Sequence, residues 1–229
     1  MLLPESTHAD SVLPAPEAEA ARYALLRRLA PSMRHHLVVN LQPIGMIYEV
    51  MERRLRGAQP DLAHVHESAS KINGFARAAL NSCLDVVSWL APDDAVPTAL
   101  QPCMRECAAL LATSFSFRGY ALRNEVEHIP GEVRRSAVRS MVTGALIHST
   151  DHLPPSTELV VTARPEDDAA VVIIATRASN GDKGFATEPT YRKLEWRDLQ
   201  ALAIADGATV SRQGTRIELR LPWVQAPSC

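Results

Sequence analysis

Two heptad stripes of apolar residues, joined by one short turn, leave few folds open to residues 17 to 91. From Glu17 to Arg56 the chain is rich in Ala, Leu, Arg and Glu, which favours helix. Its second half carries Leu37, Leu41, Ile44, Tyr48, Met51 and Leu55, at alternating steps of four and three. That is the period of a helical seam. Gly57-Ala58-Gln59-Pro60 ends the helix. Asp61 can cap a second one, whose stripe runs Leu62, Val65, Ala69, Ile72, Ala76, Ala79, Cys83, Val86 and Leu90. Two helices joined by a short turn make an antiparallel hairpin. A lone hairpin cannot bury both seams well, whereas two hairpins paired as a four-helix bundle can. The expectation is a homodimer through residues 18 to 91, with small residues at Ala69, Ala76 and Ala79 suiting close packing.

The rest of the chain follows a different rhythm. Residues 1–16 are polar and contain Pro4, Pro14 and Pro16, the composition of a disordered tail. Pro92 and Pro97 flank Asp93-Asp94 as a linker. Beyond it, Pro102 to Phe117, Gly131 to Ser149 and Trp196 to Ala205 read as helices. Tyr120 to Val126, Glu158 to Arg164, Ala169 to Thr176, and a hairpin of Thr209 to Arg212 with Arg216 to Leu221 read as strands. The predicted fold class is α+β: the helical hairpin at residues 17–91, then a mixed sheet with helices on one face at residues 98–225.

Composition excludes some functions. The formal net charge is -2, which gives no basic surface for nucleic acid or an anionic membrane. No apolar run approaches the roughly 20 residues of a membrane span, and the N-terminus does not read as a signal peptide, so the expected location is cytoplasmic. The four cysteines show no framework spacing, which fits reduced thiols. Cys103 and Cys107 share a helix face, half of a metal site at most, and no metal is expected.

Arg34-His35-His36 lies where the first stripe becomes regular. At about 100° per residue, His35 points roughly opposite Leu37, and His36 lies to the side of the seam. An exposed imidazole on a rigid helix suits in-line nucleophilic chemistry, although two solvated surface histidines would look the same. The segment Arg34 to Ile44 resembles the phosphoacceptor box of histidine kinases: a histidine, an adjacent acid, and apolar residues two, six and nine positions on. Leu37, Leu41 and Ile44 fit those offsets from His35. Counted from His36 the fit is poorer, so the resemblance makes His35 the phosphoacceptor and His36 the second choice. Pro43 would bend the helix, as a proline near this point does in the family. Where the family has the acid that acts as base toward ATP, this chain has His36. Its usual polar residue four positions on is Val39, with Asn40 one place late. The resemblance implies a docking face for a partner around Arg34, Val38, Val39, Asn40 and Gln42.

Residues after the linker are similar to the kinase ATP-binding domain. Leu100 to Pro130 looks like its opening helix and strand. Arg139 to Ser149 looks like the helix that supplies the magnesium-holding asparagine, with Gly144 in its place and Ser140 replacing another asparagine. Glycine offers a cation no ligand. In Arg177-Ala178-Ser179-Asn180-Gly181-Asp182, Ser179 or Ala178 stands where an aspartate would receive adenine, and Gly181 survives. Tyr191 to Asp198 fills the second glycine-rich turn with bulky and acidic residues, which deny backbone amides close approach to phosphate. The resemblance therefore implies a degenerate domain with ATP binding lost and no cofactor of its own. Three functions remain open. The first is a phosphotransfer protein of a phosphorelay, exchanging phosphoryl groups with receiver-domain aspartates, the receiver bringing its magnesium. The second is a non-catalytic pseudokinase that binds and regulates a response regulator or kinase. The third is a divergent active histidine kinase.

Overall fold

The computed structural model describes residues 15–59, 61–93, 96–179 and 191–224. Of the expected tail at residues 1–16, residues 1 to 14 lie outside them, whereas Pro16 belongs to a helix; Pro60 of the turn, Asp94 of the linker, and Gly181 with its neighbours at 180 to 190 also lie outside. Two long helices come first: α1 (Pro16–Leu55) and α2 (Leu62–Leu90). Pro16 opens α1, where its missing N–H costs nothing. Asp61 caps α2 by accepting from the N–H groups of Ala63 and His64 at 3.0 and 3.2 Å. The two helices pack along each other as the predicted hairpin.

Then follow β1 (Pro97–Ala99), α3 (Leu100–Phe117), β2 (Ala121–Asn124), β3 (Glu132–Arg134), α4 (Arg135–His152), β4 (Thr157–Pro165), β5 (Ala169–Ala178), α5 (Trp196–Ala205), β6 (Thr209–Gln213) and β7 (Arg216–Pro222). The chain is α+β, with one five-stranded sheet in the order β2-β4-β5-β7-β6. Among the described residues only β2 and β4 run parallel. Leu159 and Val161, Val172 and Ile174, and Ile217 and Leu219 alternate along neighbouring strands and form one core with the helices. The opposite face is roofed by a charged ladder in which Arg164 and Arg220 pair with Glu166, Asp168 and Glu218. The last hairpin turns at Gly214, whose φ of 59° is a left-handed value that suits glycine.

Two short strands escaped the sequence pattern. Residues 132 to 134, predicted as the start of a helix, pair instead with β1 (Ala99 opposite Glu132). Three-residue strands are too short for an alternation to register.

The larger surprise is in α1. Its first half buries Ala18, Ala21, Ala24, Leu25, Leu29 and Met33, and most of these join the same core as the sheet and α3 to α5. Beyond Met33 none of its residues is buried, and this second half runs along α2. Pro31 and Pro43 both lie inside the helix and withdraw backbone donors there.

Candidate functional site

His35 is exposed on α1, just beyond the half that is sunk in the core. His36 is half-buried beside it, the two rings 6.4 Å apart. By helical phase, Val39 and Gln42 share the His35 side, and Arg34 and Val38 swing toward Leu41. Asn40 faces inward: its amide donates to the His36 carbonyl at 3.1 Å and to Ser82 Oγ on α2 at 3.0 Å. It locks the hairpin at the level of the histidines. His35 and His36 also border a cavity of about 290 Å³ between α1, α3 and α4.

Two of the positions that resemble a nucleotide site, Ser140 and Gly144, lie on one face of α4, and protein covers them. A Cβ at Gly144 would meet Leu202 of α5 at 3.5 Å, and Leu202 is fully buried. One turn earlier, the Ser140 hydroxyl donates to the Asp206 carboxylate, which also receives Arg22 of α1 at 2.7 Å. One turn later, His148 Nδ1 donates to the Leu194 carbonyl at 2.7 Å, and His152 Nε2 donates to the same oxygen at 3.0 Å. Burial pushes the His148 pKa below its usual value. Ser179 closes β5 by donating its N–H to the Ser156 carbonyl at 2.7 Å.

The N-terminus of α5, whose amides could otherwise attract an anion, is occupied by its own acids. Glu195 and Asp198 form a capping box, with the Asp198 carboxylate 2.8 Å from the Glu195 N–H. Burial would raise the Asp198 pKa, but the Arg192 guanidinium at 2.6 and 2.9 Å and the Glu195 N–H hold it below the usual carboxylate range. An incoming phosphate would meet carboxylates rather than free amides.

From outside, α1 seals this arrangement. Arg28 grips Asp151 of α4 through two bonds of 2.6 Å, with side chains 5% and 0% exposed. Asp151 also accepts from the Leu194 N–H at 3.0 Å. Tyr23 and Arg27 pack on Tyr191. The end of α2 is tied down separately: Arg139 of α4 donates to Ser88, pairs with Glu106 and lies 4.7 Å from the Trp89 ring centroid. The sequence held a signal for the α1 contacts, the run Ala18, Ala21, Leu25, Leu29, which its Ala- and Arg-rich composition masked. Cys103 and Cys107 are both buried on α3. The hydrogen bond between them and burial push the Cys107 thiol well above its usual value, so it is a poor nucleophile. Among the described residues no helix is long and apolar enough to cross a membrane.

No protein-family model and no curated protein sequence matches the chain. Solved structures give weak overlaps. The chain is similar to the Acinetobacter baumannii histidine kinase AdeS at 13% identity and a TM-score of 0.43, covering 78% of this chain and 96% of that one. It is similar to a histidine kinase from Burkholderia phymatum at 13% identity and a TM-score of 0.43, covering 91% and 98%. It is also similar to a bacterial phosphotransferase at 14% identity and a TM-score of 0.40, covering 91% and 99%. Overlaps of this size leave the chemistry to be argued from the chain's own residues.

Proposed function

We propose that this chain is a histidine phosphotransfer protein that exchanges phosphoryl groups between His35 and receiver-domain aspartates without binding ATP. The observation behind this reading is a contrast. The histidine of the acceptor-like segment stands open on α1, while the α4 face that would hold a nucleotide is packed with Leu202, Leu194 and Asp206. In the transfer, an imidazole nitrogen of His35 attacks the phosphorus of an aspartyl phosphate. The N–P bond forms as the P–O bond to the aspartate breaks, the carboxylate leaves with that electron pair, and the other ring nitrogen keeps its proton. No hydroxyl has to be deprotonated, so the absence of an acid beside His35 is no obstacle. The receiver would dock against His35, Val39 and Gln42 and bring its own magnesium.

Incubation with a phosphorylated receiver should label the wild type and His36→Ala, and labelling of His35→Ala should fall to background. An unlabelled wild type, or label surviving in both alanine variants, sinks the proposal. His35→Gln separates the pseudokinase reading, because a scaffold would keep regulating its partner without an acceptor.

The same reading includes a homodimer. Leu80, Leu84, Val87 and Leu90 on α2 are each 57 to 59% exposed, and on α1 Leu41 and Tyr48 are 51 and 52% exposed. Exposed apolar side chains at helical spacing support an interface there. Light scattering on the eluting protein should give twice the 25.0 kDa chain mass, and Leu80→Glu with Leu84→Glu should give the single mass. A monomeric wild type would remove the bundle from the reading.

A further inference from the structure

We propose that the cleft between α1, α3 and α4 binds a small amphipathic carboxylate, and that the bound ligand covers His35. The consequence for signalling rests on the phosphotransfer reading, but the binding does not.

The cavity holds about 290 Å³, at the lower end of small-molecule sites. Its inner wall is apolar: Leu110, Leu111 and Phe115 of α3 and Ile147 of α4, all buried. Its rim is basic, with Arg28, His35 and His36 from α1 and Arg118 from the end of α3. No residue lining it is acidic. Asp151 lies behind the rim, 2.6 Å from Arg28 and 3.7 Å from Arg118, and neutralises one of the two guanidinium charges. Arg118 also donates to the Thr150 hydroxyl and carbonyl, both at 3.2 Å, so the rim sets two guanidinium groups against one carboxylate. An apolar wall with a net positive rim fits a ligand with an apolar body and one anionic head. The volume limits that body to a small ring system or a short acyl chain. A nucleotide or sugar phosphate would have to bury its polar groups against leucine and phenylalanine, which is unfavourable. His35 is exposed at the same rim, so a ligand seated there lies between its imidazole and any partner.

The probe is 1-naphthoate, titrated calorimetrically into the full chain. Saturable binding is expected, and the neutral 1-naphthylmethanol should bind about tenfold more weakly, since a charged hydrogen bond is lost. Ser114→Trp, which fills the cleft from α3, should weaken naphthoate by tenfold or more at unchanged melting temperature. Diethyl pyrocarbonate labelling, read by peptide mass spectrometry, should show His35 protected by naphthoate and His66, exposed on α2, unprotected. Any one of four results overturns the proposal: no saturable binding, equal affinity for the alcohol, undiminished binding by folded Ser114→Trp, or unprotected His35. If Ser114→Trp does not fold, the alcohol and the labelling decide. Naphthoate binding without receiver labelling would end the phosphotransfer reading and leave the site standing. Receiver labelling without naphthoate binding would do the reverse.

Discussion

Asp151→Ala should lower the stability of the folded chain by about 3–5 kcal/mol, because it strands a buried guanidinium. The side chains of Arg28 and Asp151 are 5% and 0% exposed, and the two bonds between them are both 2.6 Å. Removing the carboxylate leaves the largely buried Arg28 guanidinium without its counter-charge, the Arg192 carbonyl at 3.2 Å being its remaining hydrogen-bond partner, and also leaves the Leu194 N–H, 3.0 Å away, without its acceptor. For a chain of this length the melting temperature should fall by about 6–20 °C. The double variant Arg28→Met with Asp151→Leu should recover much of that loss, since no charge remains unpaired, but not all of it. The orphaned Leu194 N–H still costs about 1–3 kcal/mol. Arg56→Ala is the control: it breaks an ion pair with Glu52 whose side chains are 77 and 41% exposed, and it should cost less than about 1 kcal/mol. If Asp151→Ala melts within a degree of Arg56→Ala, then α1 is not anchored to α4 in the way the geometry says.

This anchor also shows where the sequence was silent. The heptad stripes from Leu37 to Leu55 and Leu62 to Leu90 made the hairpin legible, because a period of three and four survives whatever packs on it. The strands β4 to β7 were legible as runs rich in β-branched residues bounded by turns, with Gly214 at the last of them. The first half of α1 was not. Its buried positions are mostly alanines, which carry weak hydrophobic signal, and its arginines read as solvated until Arg22 and Arg28 find Asp206 and Asp151, more than 120 residues away. Ion pairs of that sequence separation leave no local pattern. The candidate site divides in the same way. His35, with Val39 and Gln42 one and two turns along, follows from helical phase. The coverage of Gly144 does not, since it depends on how α5 crosses α4.

Placing an asparagine at residue 144 should confer no nucleotide binding, and the substitution should have a measurable cost. Gly144 lies in the middle of α4, fully buried, with Leu202 of α5 at 3.5 Å from where a Cβ would stand. That distance is ordinary contact, so Gly144→Ala should be tolerated and even gain about 0.5–1 kcal/mol from reduced backbone entropy. Gly144→Asn differs in kind. Its amide has to enter a space bounded by Leu202, itself 0% exposed. Overpacking costs about 1–3 kcal/mol and an unpaired buried amide about 1–3 kcal/mol more. The expected order of melting temperatures is therefore Ala above wild type above Asn. None of the three should show heat on titration with magnesium-ATP. The asparagine would still face Leu202 rather than a phosphate, and the α5 N-terminus would still be capped by Glu195 and Asp198. Micromolar magnesium-ATP binding by any of them would reopen the reading of a divergent kinase. A stabilised Gly144→Asn would show that α5 leaves room the packing does not reveal. If the predicted order holds, the face of α4 is closed by packing, and a single polar side chain at residue 144 does not open it.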